Sequence, residues 1–167
     1  WQISKKSIDA RRKDDVHYSY SIDFELKDET KYPKFKKVEK FKMPKINSKN
    51  LDFKKPIIVG CGPSGLFAGL IMVQNGLKPI IIEQGDTALK RKEIVENFFK
   101  SGKLNPLSNV QFGEGGAGTF SDGKLNTLVK DKLFRQKKVF EIFVECGAPK
   151  EIMYENKPHI GTDLLRK

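Results

Sequence analysis

Three glycines, Gly60, Gly62 and Gly65, have the G-x-G-x-x-G spacing that brings main chain close to a phosphate. Gly60 lets the chain turn tightly, and Gly62 has no Cβ, so its backbone can approach a pyrophosphate. Gly65 lets a helix pack closely against the strands. The free N–H groups and the positive dipole end of that helix then face the phosphates. The spacing therefore indicates binding of a dinucleotide through main-chain N–H groups.

Two isoleucine-rich runs, Ile57–Val59 and Ile80–Ile82, flank these glycines and are predicted to be strands. The helix between them should begin near Pro63 or Ser64, because Pro is tolerated in a first turn. It should end at Gly76 in the left-handed conformation. Its buried side is predicted to consist of Leu66, Phe67, Leu70, Ile71 and Val73, with Gly69 in close packing. The stretch therefore predicts a β-α-β unit.

Glu83 closes the second run, at the expected distance of about 20 residues past the glycines. Its carboxylate can accept hydrogen bonds from both hydroxyls of an adenosine ribose. A carboxylate at this position argues against NADP, because it would repel a 2′-phosphate. NAD and FAD share the adenosine half, so this unit does not distinguish them.

A second glycine cluster lies between Ser108 and Thr127, and its members are Gly113, Gly115, Gly116, Gly118 and Gly123. Successive glycine N–H groups can form an anion-binding concavity, and bare backbone can lie against a flat ring. The alternative is a flexible surface loop. Two glycine-rich backbone sites fit an extended ligand better than a small one, which favours FAD over NAD. The first cluster would hold the pyrophosphate, and the second would follow the ribityl chain toward the isoalloxazine ring.

Four segments together resemble the bacterial FAD-dependent dehydrogenase family often labelled NAD(FAD)-utilizing dehydrogenase. They are S-I-D-A-R-R-K-D-D from Ser7, G-C-G-P-S-G-L-F-A-G-L from Gly60, N-V-Q-F-G-E-G-G-A-G-T-F-S-D-G-K-L from Asn109 and K-P-H-I-G-T-D from Lys157. The resemblance implies a glutathione-reductase-like flavin domain, FAD as cofactor and NAD(P)H as a candidate electron donor. It also implies a considerably longer chain, of which this sequence is an N-terminal fragment.

The resemblance also marks a departure at one position. The family usually carries Arg after the strand-end Glu, whereas this chain has Gln84, so a cation near the phosphates is missing there. Arg91 lies where the family also tends to carry Arg and is expected to compensate.

The residues expected to bind the cofactor come from both glycine clusters and from the strand end. Those expected at the ADP half are Gly60, Gly62, Pro63, Ser64, Gly65, Glu83, Gln84 and Arg91. Those expected at the flavin half are Gly115, Gly116, Gly118, Thr119, Ser121, Asp122 and Lys124, the last placing positive charge near the ring. His159 has no visible paired base or nucleophile, so no catalytic residue and no metal ligand is assigned.

The composition sets the remaining limits. The chain carries 32 basic and 21 acidic residues, a net charge of +11, but acids are interleaved with the lysines, so nucleic acid is not expected. Cys61 and Cys146 are far apart and form no C-x-x-C, which favours a reducing cytoplasm over a disulfide framework, and the resemblance implies a bacterial one. No apolar run is long enough for a membrane helix.

The alternative functions are an NAD-binding Rossmann enzyme without flavin and a basic nucleic-acid-binding module at 27–55.

The predicted fold class is α/β: an incomplete Rossmann-like FAD/NAD(P)-binding β-α-β core preceded by a small α+β N-terminal module. We assign 1–50 to the module and a Lys-rich linker, and 51–167 to the flavin domain.

Alternating residues from Val16 to Leu26 predict a strand with one buried face, with Ile3–Ile8 as its pairing partner. Lys40–Met43 could add one short strand. A helix is predicted at Thr87–Lys100, with one apolar stripe formed by Ile94, Val95, Phe98 and Phe99. Another helix is predicted at Phe134–Cys146, with its inward side formed by Val139, Phe140, Phe143 and Val144.

Overall fold

A computed structural model describes residues 1–44, 55–127 and 129–166. Contacts divide the chain into two compact units. The hairpin unit comprises Trp1–Met43 and Lys124–Ile160, and the glycine-loop unit comprises Pro44–Gly123 and Gly161–Lys167. The hairpin unit thus takes in 124–160, a stretch that the sequence assignment placed with the flavin domain.

The hairpin unit is built on two antiparallel strands, β1 (Gln2–Asp9) and β2 (His17–Asp23), as the alternation predicted. The register pairs Ile8 with Tyr18 and contains one irregularity near Ile3. On its other side β1 meets a later segment: the N–H of Lys6 donates to the Tyr154 carbonyl at 2.7 Å. The Lys6 ammonium also lies 2.8 Å from the Glu155 carboxylate. These contacts attach 154–156 to the hairpin.

The predicted burial of one strand face is wrong. Leu26 is half-buried, but the other five apolar side chains of that face are 45–59% exposed, and they are Val16, Tyr18, Tyr20, Ile22 and Phe24. A strand face becomes buried only when a second layer packs on it. The ring of Phe35 contacts that of Phe24 edge-on, at 5.0 Å between centroids, and Phe24 is still 45% exposed.

The predicted short strand at Lys40–Met43 is also wrong, since this segment is irregular. A strand requires a neighbour to take its main-chain hydrogen bonds, and the described residues supply none there. One short 3-10 helix, Glu29–Lys31, precedes it. Residues 45–54 of the predicted linker lie outside the described residues.

Helix α3 (Arg135–Glu145) is confirmed to within one residue at each end. Gly147, with φ of +102°, follows the C-cap of this helix in a conformation that favours glycine. The residue buried on α3 is Ile142, which packs in a unit whose other buried apolar residues include Ile152 and Ile160. The four residues predicted to point inward are only half-buried, because the inward face of α3 is centred on Ile142 instead.

The glycine-loop unit contains the predicted strand–helix–strand arrangement: β3 (Ile57–Val59), α1 (Pro63–Gln74) and β4 (Ile80–Ile82). The strands are parallel, with Ile58 opposite Ile81. The fold is therefore mixed α/β. Gly76, with φ of +80°, ends α1 as predicted, and its N–H donates to the Val73 carbonyl at 2.9 Å.

The predicted inward side of α1 is correct only in part. Gly69 is buried, and Phe67, Leu70 and Ile71 are half-buried, but Leu66 and Val73 are exposed. In the described part of the chain this sheet has two strands. A sheet that narrow covers one stripe of the helix, so side chains on the flanks of α1 remain in solvent.

Helix α2 (Ala88–Ser101) agrees closely with its prediction. The Thr87 hydroxyl caps its start and Gly102, with φ of +70°, ends it. Val95 is buried as predicted, whereas Phe99 is 74% exposed and its predicted burial is wrong, because the described residues leave the last turn uncovered. A four-residue helix, α4 (Thr162–Leu165), completes the unit. None of the helices in the described parts has the length and apolar character needed to cross a bilayer.

Candidate functional site

The turn between β3 and α1 leaves the start of a 12-residue helix without a side-chain cap. Gly60 adopts φ of +97°, and its N–H donates to the Ile82 carbonyl at 2.7 Å, which ties the turn to β4. Gly62 is the N-cap and Pro63 the first helical residue. Because neither can cap the helix with a side-chain oxygen, the first N–H groups of α1 and its positive dipole end are available to an anion.

The glycines of this turn differ in whether the surrounding atoms leave room for a side chain. A Cβ on Gly65 would overlap the carbonyl oxygen of Gly60, and a Cβ on Gly69 would lie 2.9 Å from the Ile81 Cδ1 atom. The clash at Gly65 is with main chain, so packing requires glycine there, whereas the contact at Gly69 is with the end of a flexible side chain that can shift. At Gly62 the φ is −77°, and no described atom lies within 4 Å of a Cβ built there. Neither backbone conformation nor the described packing requires glycine at 62, and the space in front of it is open.

Glu83, at the end of β4, binds the same turn. Its Oε2 atom accepts the N–H of Cys61 at 2.7 Å, and its Oε1 atom accepts the N–H of Gly85 at 2.9 Å. These two main-chain donors lower the pKa of Glu83. Each oxygen retains a second lone pair, so the carboxylate can still accept a hydroxyl. Gln84, the next residue, is exposed.

Replacing Glu83 with Gln should reduce stability at neutral pH by about 1 kcal/mol, because the amide loses one of the two acceptors. The lowered pKa stabilises the fold above the ordinary value of Glu, 4.5, and that contribution disappears as pH falls through the folded-state pKa. Urea unfolding should therefore show a steeper loss of stability in acid for the wild type than for E83Q. Parallel pH profiles for the two proteins would contradict this assignment.

The second glycine cluster contacts the first. The N–H of Gly115 donates to the carbonyl of Cys61 at 2.8 Å. A Cβ on Gly116 would lie 3.1 Å from the Cδ atom of Pro63 and 3.4 Å from the Cα atom of Gly62. Part of the loop is packed, with buried residues at Ser108, Asn109, Gly113, Thr119 and Gly123. The structure thus brings the two predicted glycine sites together.

The main-chain donors of this loop are largely committed within the protein. The N–H of Gly115 goes to Cys61, and that of Gly116 goes to the Gly113 carbonyl at 2.9 Å. The predicted anion concavity therefore does not use these two groups. Thr119 is buried in a 3-10 helix, Ala117–Phe120, and the Ser121 hydroxyl donates to the carbonyl of Gly118 at 2.8 Å.

The remaining predicted residues are divided between the units. Asp122 is exposed in the glycine-loop unit. Lys124 belongs to the hairpin unit, where it forms an isolated antiparallel bridge with His159. The N–H of Leu125 supports that bridge by donating to the Pro158 carbonyl at 3.0 Å. Lys124 and His159 are thus brought together with each other, in a unit other than the one holding both glycine clusters.

Arg91 is completely buried, with 0% exposure. Its five N–H groups all donate to main-chain carbonyls of the second cluster: Nε and Nη2 to Asn109, Nη2 to Val110, and Nη1 to Glu114 and Gly116. Burial lowers the pKa of Arg91, and the carboxylates of Glu83 and Glu114 oppose that shift. Since its donors are used, Arg91 holds the loop in place and does not present a cation to a ligand.

Two further residues of the site were not predicted. Gly85 approaches the loop so closely that a Cβ there would lie 2.5 Å from the Gly113 Cα atom. The Glu114 carboxylate accepts the N–H of Ala88, the first residue of α2, at 2.7 Å. A glycine shortly after a strand is a sequence signal for close approach, but a loop carboxylate that caps a distant helix leaves no local signal.

Cys61 lies within the turn, but its environment does not activate its thiol. Burial and the carboxylate of Glu114 raise the pKa of its thiol, which disfavours the reactive thiolate. In the described ranges, both cysteines are free and the acidic, His and Cys side chains form no group able to hold a metal ion.

The chain is similar to an uncharacterized protein of Clostridium beijerinckii, with 44% identity over an alignment of 181 residues. That alignment covers 98% of this chain and 32% of the relative. The chain therefore spans about a third of the length of the curated relative that it matches. No family model matches the chain.

Proposed function

We propose that this chain carries the ADP-binding part of an FAD site in an FAD-dependent oxidoreductase, a dehydrogenase of the bacterial cytoplasm. The observation that supports this most strongly is the turn at Gly62: an open space in front of the uncapped start of α1. An extended diphosphate fits that turn, because main-chain N–H groups and a helix dipole bind anions without a charged side chain.

The roles of the residues follow from this geometry. The N–H groups of Gly62, Ser64 and Gly65 would bind the pyrophosphate, while Gly60 and Pro63 fix the turn. Glu83 would accept the ribose hydroxyls with the lone pairs that Cys61 and Gly85 leave unused. Gly115 and Gly116 would support the turn from behind, and the segment from Gly118 to Asp122 would continue toward the flavin.

When bound, FAD supplies the hydride-transfer chemistry, and the protein supplies binding, orientation and electrostatics. The residues of this chain bind and orient the ADP end. Substrate, electron acceptor and catalytic residues are not assigned, and NAD(P)H is the proposed electron donor. The N–H groups of a helix start suit the diphosphates of FAD and NAD equally, so the preference for FAD rests on the second glycine cluster.

The absorbance of the purified full-length protein tests this proposal. We expect a yellow protein with bands near about 370 and 450 nm that releases FAD on denaturation and is bleached by NADH or NADPH. A colourless protein that takes up no added FAD would overturn it. Saturable NAD binding by a colourless protein would instead establish the Rossmann alternative, and steeply salt-dependent binding to nucleic acid would establish the basic module.

A further inference from the structure

Arg91 is connected to the phosphate turn by two peptide groups in series. The Arg91 Nη1 atom donates to the Glu114 carbonyl. The same peptide carries the N–H of Gly115, which donates to the Cys61 carbonyl at 2.8 Å. The peptide of Cys61 in turn carries the N–H of Gly62. A buried guanidinium, two main-chain carbonyls and two N–H groups therefore form one hydrogen-bonded chain.

The geometry of the peptide bond determines where this chain points. A trans peptide is planar, so its C=O and N–H point in opposite directions, and the described residues contain no cis peptide. With the Cys61 carbonyl fixed on Gly115, the N–H of Gly62 points away from the second cluster. Glu83 fixes the other side of Cys61 by accepting its N–H at 2.7 Å. Rotation of the Cys61–Gly62 peptide would instead turn a carbonyl oxygen toward any anion bound there.

The charge of Arg91 acts along the same chain. Hydrogen bonds in series polarise one another, and the low local dielectric of a buried site strengthens this effect. Arg91 is fully buried and directs a second Nη1 bond, of 3.0 Å, to the Gly116 carbonyl. One cation therefore holds the carbonyls of both sequence neighbours of Gly115, Glu114 and Gly116.

We infer that Arg91 is the positioning residue of the phosphate turn: through Glu114, Gly115 and Cys61 it orients and polarises the N–H of Gly62 for a diphosphate. This inference rests on the proposed function, since it names the residue that prepares the same site. Arg91 itself does not touch the ligand, because its five N–H groups are all used by the loop.

The test compares FAD affinity in the full-length wild type, Arg91→Ala and Arg91→Lys. We expect the dissociation constant for FAD to rise about 10- to 100-fold in both variants, the equivalent of one hydrogen bond to a charged group. Millimolar guanidinium ion should restore much of the affinity of R91A, because it can replace the missing donors. Sodium chloride at the same ionic strength should restore none.

Val95→Ala is the matched control, because Val95 is also buried on α2, one turn after Arg91, and has no bond to the loop. Its stability should fall while its affinity for FAD stays within about threefold of the wild type. Unchanged affinity in R91K and R91A, or an equal loss in V95A, would overturn the inference while leaving the FAD site intact. A wild type that binds no FAD would overturn the proposed function instead.

Discussion

Gly65→Ala should lower the free energy of unfolding of the glycine-loop unit by about 2–3 kcal/mol, whereas Gly62→Ala should change it by no more than about 0.5 kcal/mol. The first substitution places a methyl group against the Gly60 carbonyl, a main-chain atom that cannot move without separating α1 from β3. The second places it where no described atom lies within 4 Å. Urea unfolding of the two variants without added cofactor measures the difference.

Alanine also gains up to about 1 kcal/mol over glycine inside a helix, which offsets part of the cost at Gly65. The expected value already includes this gain. Equal stabilities for G65A and the wild type would mean that helix and strand are not as close as described. A large loss in G62A would mean that the turn needs glycine for its own folding, and Gly62 would then no longer indicate a ligand.

Gly113→Ala should be more harmful still, costing about 3–5 kcal/mol. Its φ of +118° is strained for any residue with a side chain. The added Cβ would also overlap the Arg91 side chain and lie 2.9 Å from the Asp86 carbonyl oxygen. Two independent penalties therefore act at one position, and the second displaces the residue that holds the loop.

Gly102→Ala measures the conformational penalty of a positive φ without the steric overlap. Gly102 also has positive φ, +70°, but no described atom lies within 4 Å of a Cβ there. It should therefore cost about 1–2 kcal/mol, the conformational part alone. Thermal or urea unfolding of both variants gives the comparison. A loss in G113A no greater than that in G102A would show that the contact between the loop and Arg91 is not tight.

Local signals predicted the elements well. Gly76 ends α1 in the left-handed conformation as predicted, because helix termination depends on a few adjacent residues. The parallel strands flanking α1 followed from two isoleucine runs at the right separation. Burial was predicted less well: Tyr18 and Phe99 are apolar and exposed, since burial depends on which elements pack on a face.

The candidate site was predictable in composition but not in assembly. Both glycine clusters could be identified by their spacing. The hydrogen bond between Gly115 and Cys61 that joins them could not, because it depends on where α2 places the chain that follows it. Arg91 was expected near the phosphates because the family that the sequence resembles tends to carry Arg at that position. Its burial against main-chain carbonyls is a tertiary arrangement that periodicity does not encode. Lys124, close in sequence to the loop, belongs to the other unit.

We propose that the space in front of Gly62 holds the diphosphate of FAD. The most direct measurement is the amount of FAD released per folded molecule from wild type, G62A and G161A of the full-length protein. Gly161 is the matched control, because it too is a helix N-cap with no described atom within 4 Å of a Cβ. We predict near-stoichiometric FAD from the wild type and G161A, and at least about tenfold weaker retention in G62A. Equal FAD in all three proteins, or none in the wild type, would contradict the claim.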